Sequence, residues 1–391
     1  MPLDPFINSR VTSNSLAHDP ATLGRLFGDG GRLLPLWIAE PNVELAPGIT
    51  AALKARAGAG WYGYETRPPE VIDAFWAWMT TRHGWDGSGL ATAISPGVGT
   101  SLAVLIEQLT EPGDGVIVQP PVFTDYKPLI SAANRTVVRN PLVLTERGSY
   151  RMDLDDLATK AAQPDNRILI LCSPHNPVGR VWTRRELSNV AAICAQHDVF
   201  VIADEIHADL AFPPFRFTPF AMAAGDSGVS WAATHGPTKT FGLAGVCDTL
   251  LVTDDEHLAE LFRSRNTQLH LTRNDVFGIV AFEAAYRTGA PWLDSFIELV
   301  AANIELLQEQ LPHPIDLIAP EGTYLAWLDF RRLNMDVPEL ARWLASSSQL
   351  ALSPGHWFGR EGAGFARMTI AAPREQIAEA IARLTRAVAE G

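Results

Sequence analysis

From Ala91 onward the chain alternates short apolar runs with helix-spaced stretches, and this alternation restricts the fold more than any other feature. The runs are 92–95, 115–118, 167–172, 200–203, 229–233 and 249–252. They are too short for helices and lack a polar face, so they read as strands covered on both sides. The stretches 184–197 and 255–265 between them have helical periodicity. Buried strands alternating with helices predict an α/β fold, with a mainly parallel sheet flanked by helices. Each run stops abruptly, at Ser95-Pro96-Gly97, Pro120-Pro121, Ser173-Pro174, Asp204 or the stretch after Ala233. Ligands of such sheets gather at the carboxyl ends of strands. These scattered stops are therefore expected to converge.

The rest of the chain reads differently. Residues 46–59 form a helix opening at Pro47, and 70–83 another, with Val71, Phe75, Trp78 and Met79 on one core-facing stripe. After a helix over 293–311 come strands over 322–329 and 364–370, then a helix over 374–389. Residues 1–35 read as an irregular arm. A chain of 391 residues is long for one core. The expected division is an arm and part of a small domain (1–45), a large domain (46–290) and a smaller α+β domain (291–391). The net charge of −13 argues against nucleic acid or an anionic membrane surface as partner. Cys172, Cys194 and Cys247 are too widely spaced for a disulfide framework or a metal site. Nothing resembles a signal peptide or a membrane span, so a cytoplasmic location is expected.

Lys239 lies among small and hydroxyl residues, in Thr234-His235-Gly236-Pro237-Thr238-Lys239-Thr240. Burial would lower its pKa and make it a nucleophile or base. Asp204 ends a buried run, where a carboxylate could hold a pyridine nitrogen protonated. Asn176 could donate to a ring oxygen. Gly97-Val98-Gly99-Thr100 opens a helix whose first N–H groups suit a phosphate. Taken singly, these are a surface lysine, a helix cap, an Asn-Pro turn and a common helix start. Together they are what pyridoxal phosphate (PLP) needs.

In this order and spacing the motifs resemble fold-type I PLP enzymes, in the cystathionine β-lyase (MalY/PatB) branch of the class I/II aminotransferase superfamily. The match is carried by Ser95-Pro96-Gly97-Val98, Glu111-Pro112-Gly113-Asp114, Ser173-Pro174-His175-Asn176-Pro177-Val178-Gly179-Arg180-Val181-Trp182, Asp204-Glu205-Ile206-His207 and Thr238-Lys239-Thr240-Phe241. The resemblance implies that Lys239 is the Schiff-base lysine and catalytic base, and Asp204 the pyridinium partner. It implies cofactor contacts from Gly97, Val98, Gly99, Asn176, His207 and Thr238, with Phe123 stacking on the ring in place of the usual tyrosine. Arg367 would pair with the substrate α-carboxylate, and Ala39 would border the substrate. Tyr64 would reach the neighbouring subunit's site, which implies a homodimer with shared active sites.

The chain departs from the family pattern at Cys247, where aminotransferases keep a phosphate-binding arginine. It departs again at Ala39-Glu40-Pro41-Asn42 and at Thr234-His235-Gly236-Pro237. The activity the resemblance implies is β-elimination from cystathionine or another cysteine S-conjugate, giving thiol, pyruvate and ammonia. The alternatives are an aminotransferase and a biosynthetic enzyme that eliminates, or decarboxylates and deaminates, an S-linked cysteine conjugate. A regulatory relative without chemistry would be expected to lack Lys239 or Asp204, and both are present.

Overall fold

The computed structural model describes residues 15–28, 32–272 and 274–390. Residues 1–14 and 29–31 of the expected arm lie outside them. The main sheet has seven strands: β1 (Ala91–Ser95), β2 (Gly115–Val118), β3 (Thr136–Arg139), β4 (Asn166–Cys172), β5 (Phe200–Asp204), β6 (Trp231–His235) and β7 (Thr249–Thr253). Their spatial order is β1-β7-β6-β5-β4-β2-β3. β7 runs antiparallel to both its neighbours, and the other pairs are parallel. The expectation of a mainly parallel sheet is met, with one strand reversed.

Side chains alternate across a strand, and both faces here are apolar. On one face Ile168, Ile170 and Cys172 pack with Leu102 and Leu105 of α1 (Val98–Leu109) and with Phe262 of the helix Glu256–Gln268. On the other, Leu169 and Leu171 join the cluster that holds Phe75 and Trp78 of the helix Pro69–His83 and Leu187 and Val190 of the helix Arg184–Gln196. Each fully buried side chain of this kind contributes about 1.5–3 kcal/mol relative to exposure. Arg184–Gln196 starts where expected because Thr183 and Glu186 form a reciprocal capping box.

A second, antiparallel sheet holds β8 (Asp316–Ile318), β9 (Leu325–Asp329), β10 (Ser353–Pro354) and β11 (Phe365–Thr369), in the order β8-β9-β11-β10. The long helices Ala290–Gln310 and Arg374–Glu390 share its apolar cluster. Leu34–Pro35 pairs in parallel with Leu350–Ala351, which ties the start of the described chain to this half of the molecule.

Some expectations need correction. Pro20–Phe27 is a helix inside the stretch read as irregular; Asp19 caps it by accepting from the Thr22 amide at 2.8 Å. β6 sits two residues later than expected, because its ladder carries Thr234 and His235 into the sheet against β5 and β7. β3 is an edge strand and only half-buried, so its apolar signal is weak. The helix Val276–Thr288 was not anticipated, because its apolar residues surround it rather than form a stripe. No helix among the described residues is long and apolar enough to cross a membrane.

The register explains the convergence. Asp204 is paired with Cys172 on one side and Thr234 on the other. β4, β5 and β6 therefore end at the same edge, and the loops that follow them open over the same place.

Candidate active site

That edge holds a cavity of about 380 Å³. Nine of the residues singled out from the sequence line it: Gly97, Val98, Gly99, Phe123, Asn176, Asp204, His207, Thr238 and Lys239. They come from five separate loops. Cys172, Cys247, Thr249 and Asp125 also line it.

Lys239 sits in a single helical turn, Thr238–Phe241, just after β6. Its Nζ donates to the Ala39 carbonyl at 3.0 Å. Loss of hydration holds its pKa below the ordinary lysine value, and the nearby Arg367 cation adds to this, while Glu40 and Asp204 oppose it. Ala39 thus reaches the site through its backbone, and Tyr324 donates to the same carbonyl at 3.1 Å. The turn is anchored by Thr240, whose hydroxyl donates to Asp209 at 2.9 Å. Asp209 also takes the Trp78 indole N–H at 2.8 Å and pairs with His83 at 2.7 Å.

Asp204 is buried, and desolvation raises its pKa. Tyr126 opposes the rise by donating to Oδ2 at 2.5 Å. A cation beside Oδ1 would find a carboxylate already oriented. His207 is buried and neutral, its pKa driven well down by desolvation and by Lys239 and Arg367. Its Nδ1 has no hydrogen-bond partner among the described residues.

The phosphate end can be tested directly. Gly97 occupies the cap position of α1, and no side chain caps that helix. The first N–H groups of an α-helix have no intrahelical acceptor, so those of Val98 and Gly99 are available to an anion. A Cβ built at Gly97 would meet no atom within 4 Å, so the wall is open there. The Thr238 Oγ1 is buried without a partner among the described residues. An oxyanion bound here would satisfy these groups together. With Lys239 and Asp204 across the same cavity, the residues fit PLP.

Arg367, on β11, does not line the cavity; it reaches its wall through Asn176. Its Nη1 donates to Asn176 Oδ1 at 3.0 Å and its Nη2 to the Trp37 carbonyl at 2.8 Å. Nε has no hydrogen-bond partner among the described residues, and the guanidinium lies 4.8 Å above the Phe358 ring. Burial lowers its pKa to about 10, which still leaves it charged. Tyr64 is not brought to this cavity; it is 83 % exposed and lines a separate depression with Tyr62 and Asn274.

Two of the departures from the family pattern now have a place. Cys247 does line the cavity, its thiol held protonated by burial. The Asp248 carboxylate beside it is ion-paired with Arg67. No arginine lines the cavity among the described residues. The change at His235 does not bear on ligands: His235 is buried 2.9 Å from Glu205 and packed between Phe75 and Trp85. The motif around Asn176 also divides. Asn176 faces the cavity, whereas His175 Nε2 bonds the Pro121 carbonyl at 2.9 Å and Arg180 pairs with Glu321 at 2.8 Å, bracing the loop.

Sequence reasoning missed Tyr126, Tyr324, Asp209 and the Lys239-facing carboxylate of Glu40. Tyr126 follows the Pro120-Pro121 stop closely, which was the available signal. Asp209 carried none, because its partners come from the distant Trp78, His83 and Thr240.

The family model for aminotransferase class I and II matches residues 40–384. Cystathionine beta-lyase PatB of Bacillus subtilis (strain 168) is 35% identical over 369 residues, covering 93% of this chain and 95% of that protein. Among solved structures, cystalysin from Treponema denticola, which contains a pyridoxal 5'-phosphate cofactor, superposes with a TM-score of 0.91 at 28% identity over 100% of both chains. The PLP-bound C-S lyase from Staphylococcus hominis gives 0.87 at 26% identity, covering 99% of this chain and 98% of that one. A match of this extent, over a site built from the same motifs, shows that the chain belongs to the class I and II aminotransferase family, as a fold-type I enzyme of its PatB branch.

Proposed function

We propose that this protein is a PLP-dependent C–S β-lyase that cleaves cysteine S-conjugates, cystathionine among them, to thiol, pyruvate and ammonia. The observation that carries this reading is the joint presence in one cavity of a depressed lysine, a Tyr126-braced Asp204 and an uncapped helix start. The naming of PatB and the Staphylococcus hominis enzyme as lyases supports elimination over amino transfer.

When bound, PLP supplies an aldehyde that takes the substrate amine and a ring that draws electrons from the α-carbon. The chain's residues do the rest. The amide N–H groups of Val98 and Gly99 and the Thr238 hydroxyl would hold the phosphate. Asp204 would take the ring nitrogen, its carboxylate kept oriented by the Tyr126 hydroxyl. Asn176 and the uncharged His207 would hold the ring's oxygen, and Phe123 would stack on the ring. Arg367 takes the α-carboxylate, with Nε and the Asn176-facing Nη1 as donors. Lys239, its amine turned toward the Ala39 carbonyl, removes the α-proton. The C–S bond then breaks, sulfur leaves with the bonding pair, and the Lys239 ammonium is the proton source for the thiolate.

We further propose a cytoplasmic homodimer in which Tyr64 enters the partner's cavity. Its exposure, alongside that of Trp61 and Tyr62, supports such a contact. The three buried, unpaired cysteines suit a reducing compartment. The domain division at residues 45 and 290 belongs to the same proposal; the cavity-lining residues fall in the middle part, and Ala39 and Arg367 approach from the other two.

The test is to incubate the holoenzyme with cystathionine and S-alkyl cysteines, with and without a 2-oxo acid, and assay pyruvate and thiol. Pyruvate without the acceptor is expected. Product formed only with the acceptor would make the enzyme an aminotransferase instead. Lys239→Ala should lose activity by about 10³-fold or more, and full turnover by this variant would end the PLP reading.

A further inference from the structure

A second cavity, of about 270 Å³, adjoins the first, and Phe123 lines both. Its wall carries Lys127, Arg139, His356 and Arg360 beside the Trp357 ring, and no acidic residue among the described ones lines it. Two carboxylates stand beside it: Glu361, ion-paired with Arg139 and 3.6 Å from Arg360, and Asp125, which takes the neighbouring Thr124 hydroxyl at 2.9 Å. Two carboxylates against three permanent cations leave a local positive excess, in a chain whose net charge is −13. Arg139 Nε is buried without a hydrogen-bond partner among the described residues. The Arg360 side chain is 82% exposed, which leaves it free to turn toward a ligand.

We propose that this second cavity is the subsite for the leaving-group end of the substrate, and that it selects S-conjugates bearing a carboxylate there. The inference rests on the lyase reading for which end of the substrate arrives. Lys239 and the Ala39 carbonyl fix where the α-carbon sits, and Phe123 forms the shared wall. A sulfur substituent extending past Phe123 enters a chamber with an aromatic lining and a cationic rim. Methylene groups pack on Phe123 and Trp357, while Arg360 and Lys127 meet the terminal carboxylate. The overall negative field would repel such a substrate, so its recognition has to be local.

The test compares S-(2-carboxyethyl)-L-cysteine with its neutral isostere S-(2-carbamoylethyl)-L-cysteine, on the PLP-loaded wild type and on a Lys127→Ala, Arg360→Ala double variant. Both replaced side chains lie at the surface, outside the first cavity. In pyruvate release the wild type should favour the carboxylate by about tenfold in kcat/KM. The double variant should lose that preference, with kinetics on the carboxamide unchanged. Calorimetric titration with the α-methyl analogues, which have no α-proton to remove, gives the same ratio as dissociation constants. A wild type that binds both analogues equally, or a preference that survives in the double variant, overturns the subsite. Discrimination in binding without pyruvate from either conjugate keeps the subsite and overturns only the lyase reading.

Discussion

At the scale of single residues, the site runs on groups moved away from their aqueous pKa values. Asp204 shows the consequence most clearly. Desolvation raises its pKa in the folded protein, so ionising it at neutral pH works against folding unless a cation is present. A carboxyl with a raised folded pKa contributes stability below its unfolded pKa, and that contribution is lost as pH rises through the folded value. Asp204→Asn should therefore stabilise the PLP-free protein at pH 7–8, with the gain shrinking toward pH 4, as read by thermal unfolding. The same variant should lose turnover by about 10²-fold or more, because a neutral amide cannot hold a pyridinium. Tyr126→Phe should behave in the same direction on activity but more mildly, by about tenfold, since it removes one hydrogen bond to a charged group.

At the scale of elements, the useful features are the places where a local rule is left unmet. α1 begins without a side-chain cap, while other helices of the chain carry capping residues such as Thr183 and Asp255. In the proposed function its open first turn and the Thr238 hydroxyl, unpaired among the described residues, take the cofactor phosphate. Thr238→Val should weaken PLP retention by about tenfold, measured as cofactor absorbance left after dialysis. The turn bearing Lys239 hangs on Asp209, which holds Thr240, Trp78 and His83 at once. Those bonds keep the Asp209 pKa low despite its burial. Its contribution is therefore present above the ordinary carboxylate pKa and lost as pH falls through the lower folded value. Asp209→Ala should cost about 3 kcal/mol or more in chemical denaturation, because three buried donors lose their acceptor.

At the scale of the whole molecule, one chain builds a cavity but leaves Tyr64 well away from it. If Tyr64 completes the partner's site, Tyr64→Ala and Lys239→Ala belong to different chains of the same site. Mixing the two inactive variants under conditions that exchange subunits should restore activity. Random pairing makes half the dimers mixed, each with one intact site, so about a quarter of wild-type activity is expected. No recovery would place Tyr64 in its own chain's site, and full activity of Tyr64→Ala alone would place it outside any site. The seven-stranded sheet, with its reversed β7, holds the lining residues around one cavity, and Arg367 of the second sheet reaches the cavity wall through Asn176.

The amino-acid sequence by itself determined the fold class, most of the strand stops and nine cavity residues. That is because buried strands, proline stops and glycine-rich helix starts are local signals with local causes. Tertiary structure alone decided the rest. It gave Asp204 a tyrosine from 78 residues away, gave Lys239 a carbonyl from 200 residues away and set Arg367 behind Asn176. It also removed His235 from the site, by giving it Glu205 as a buried partner. Such pairings depend on sheet order and register, which no short window of sequence contains.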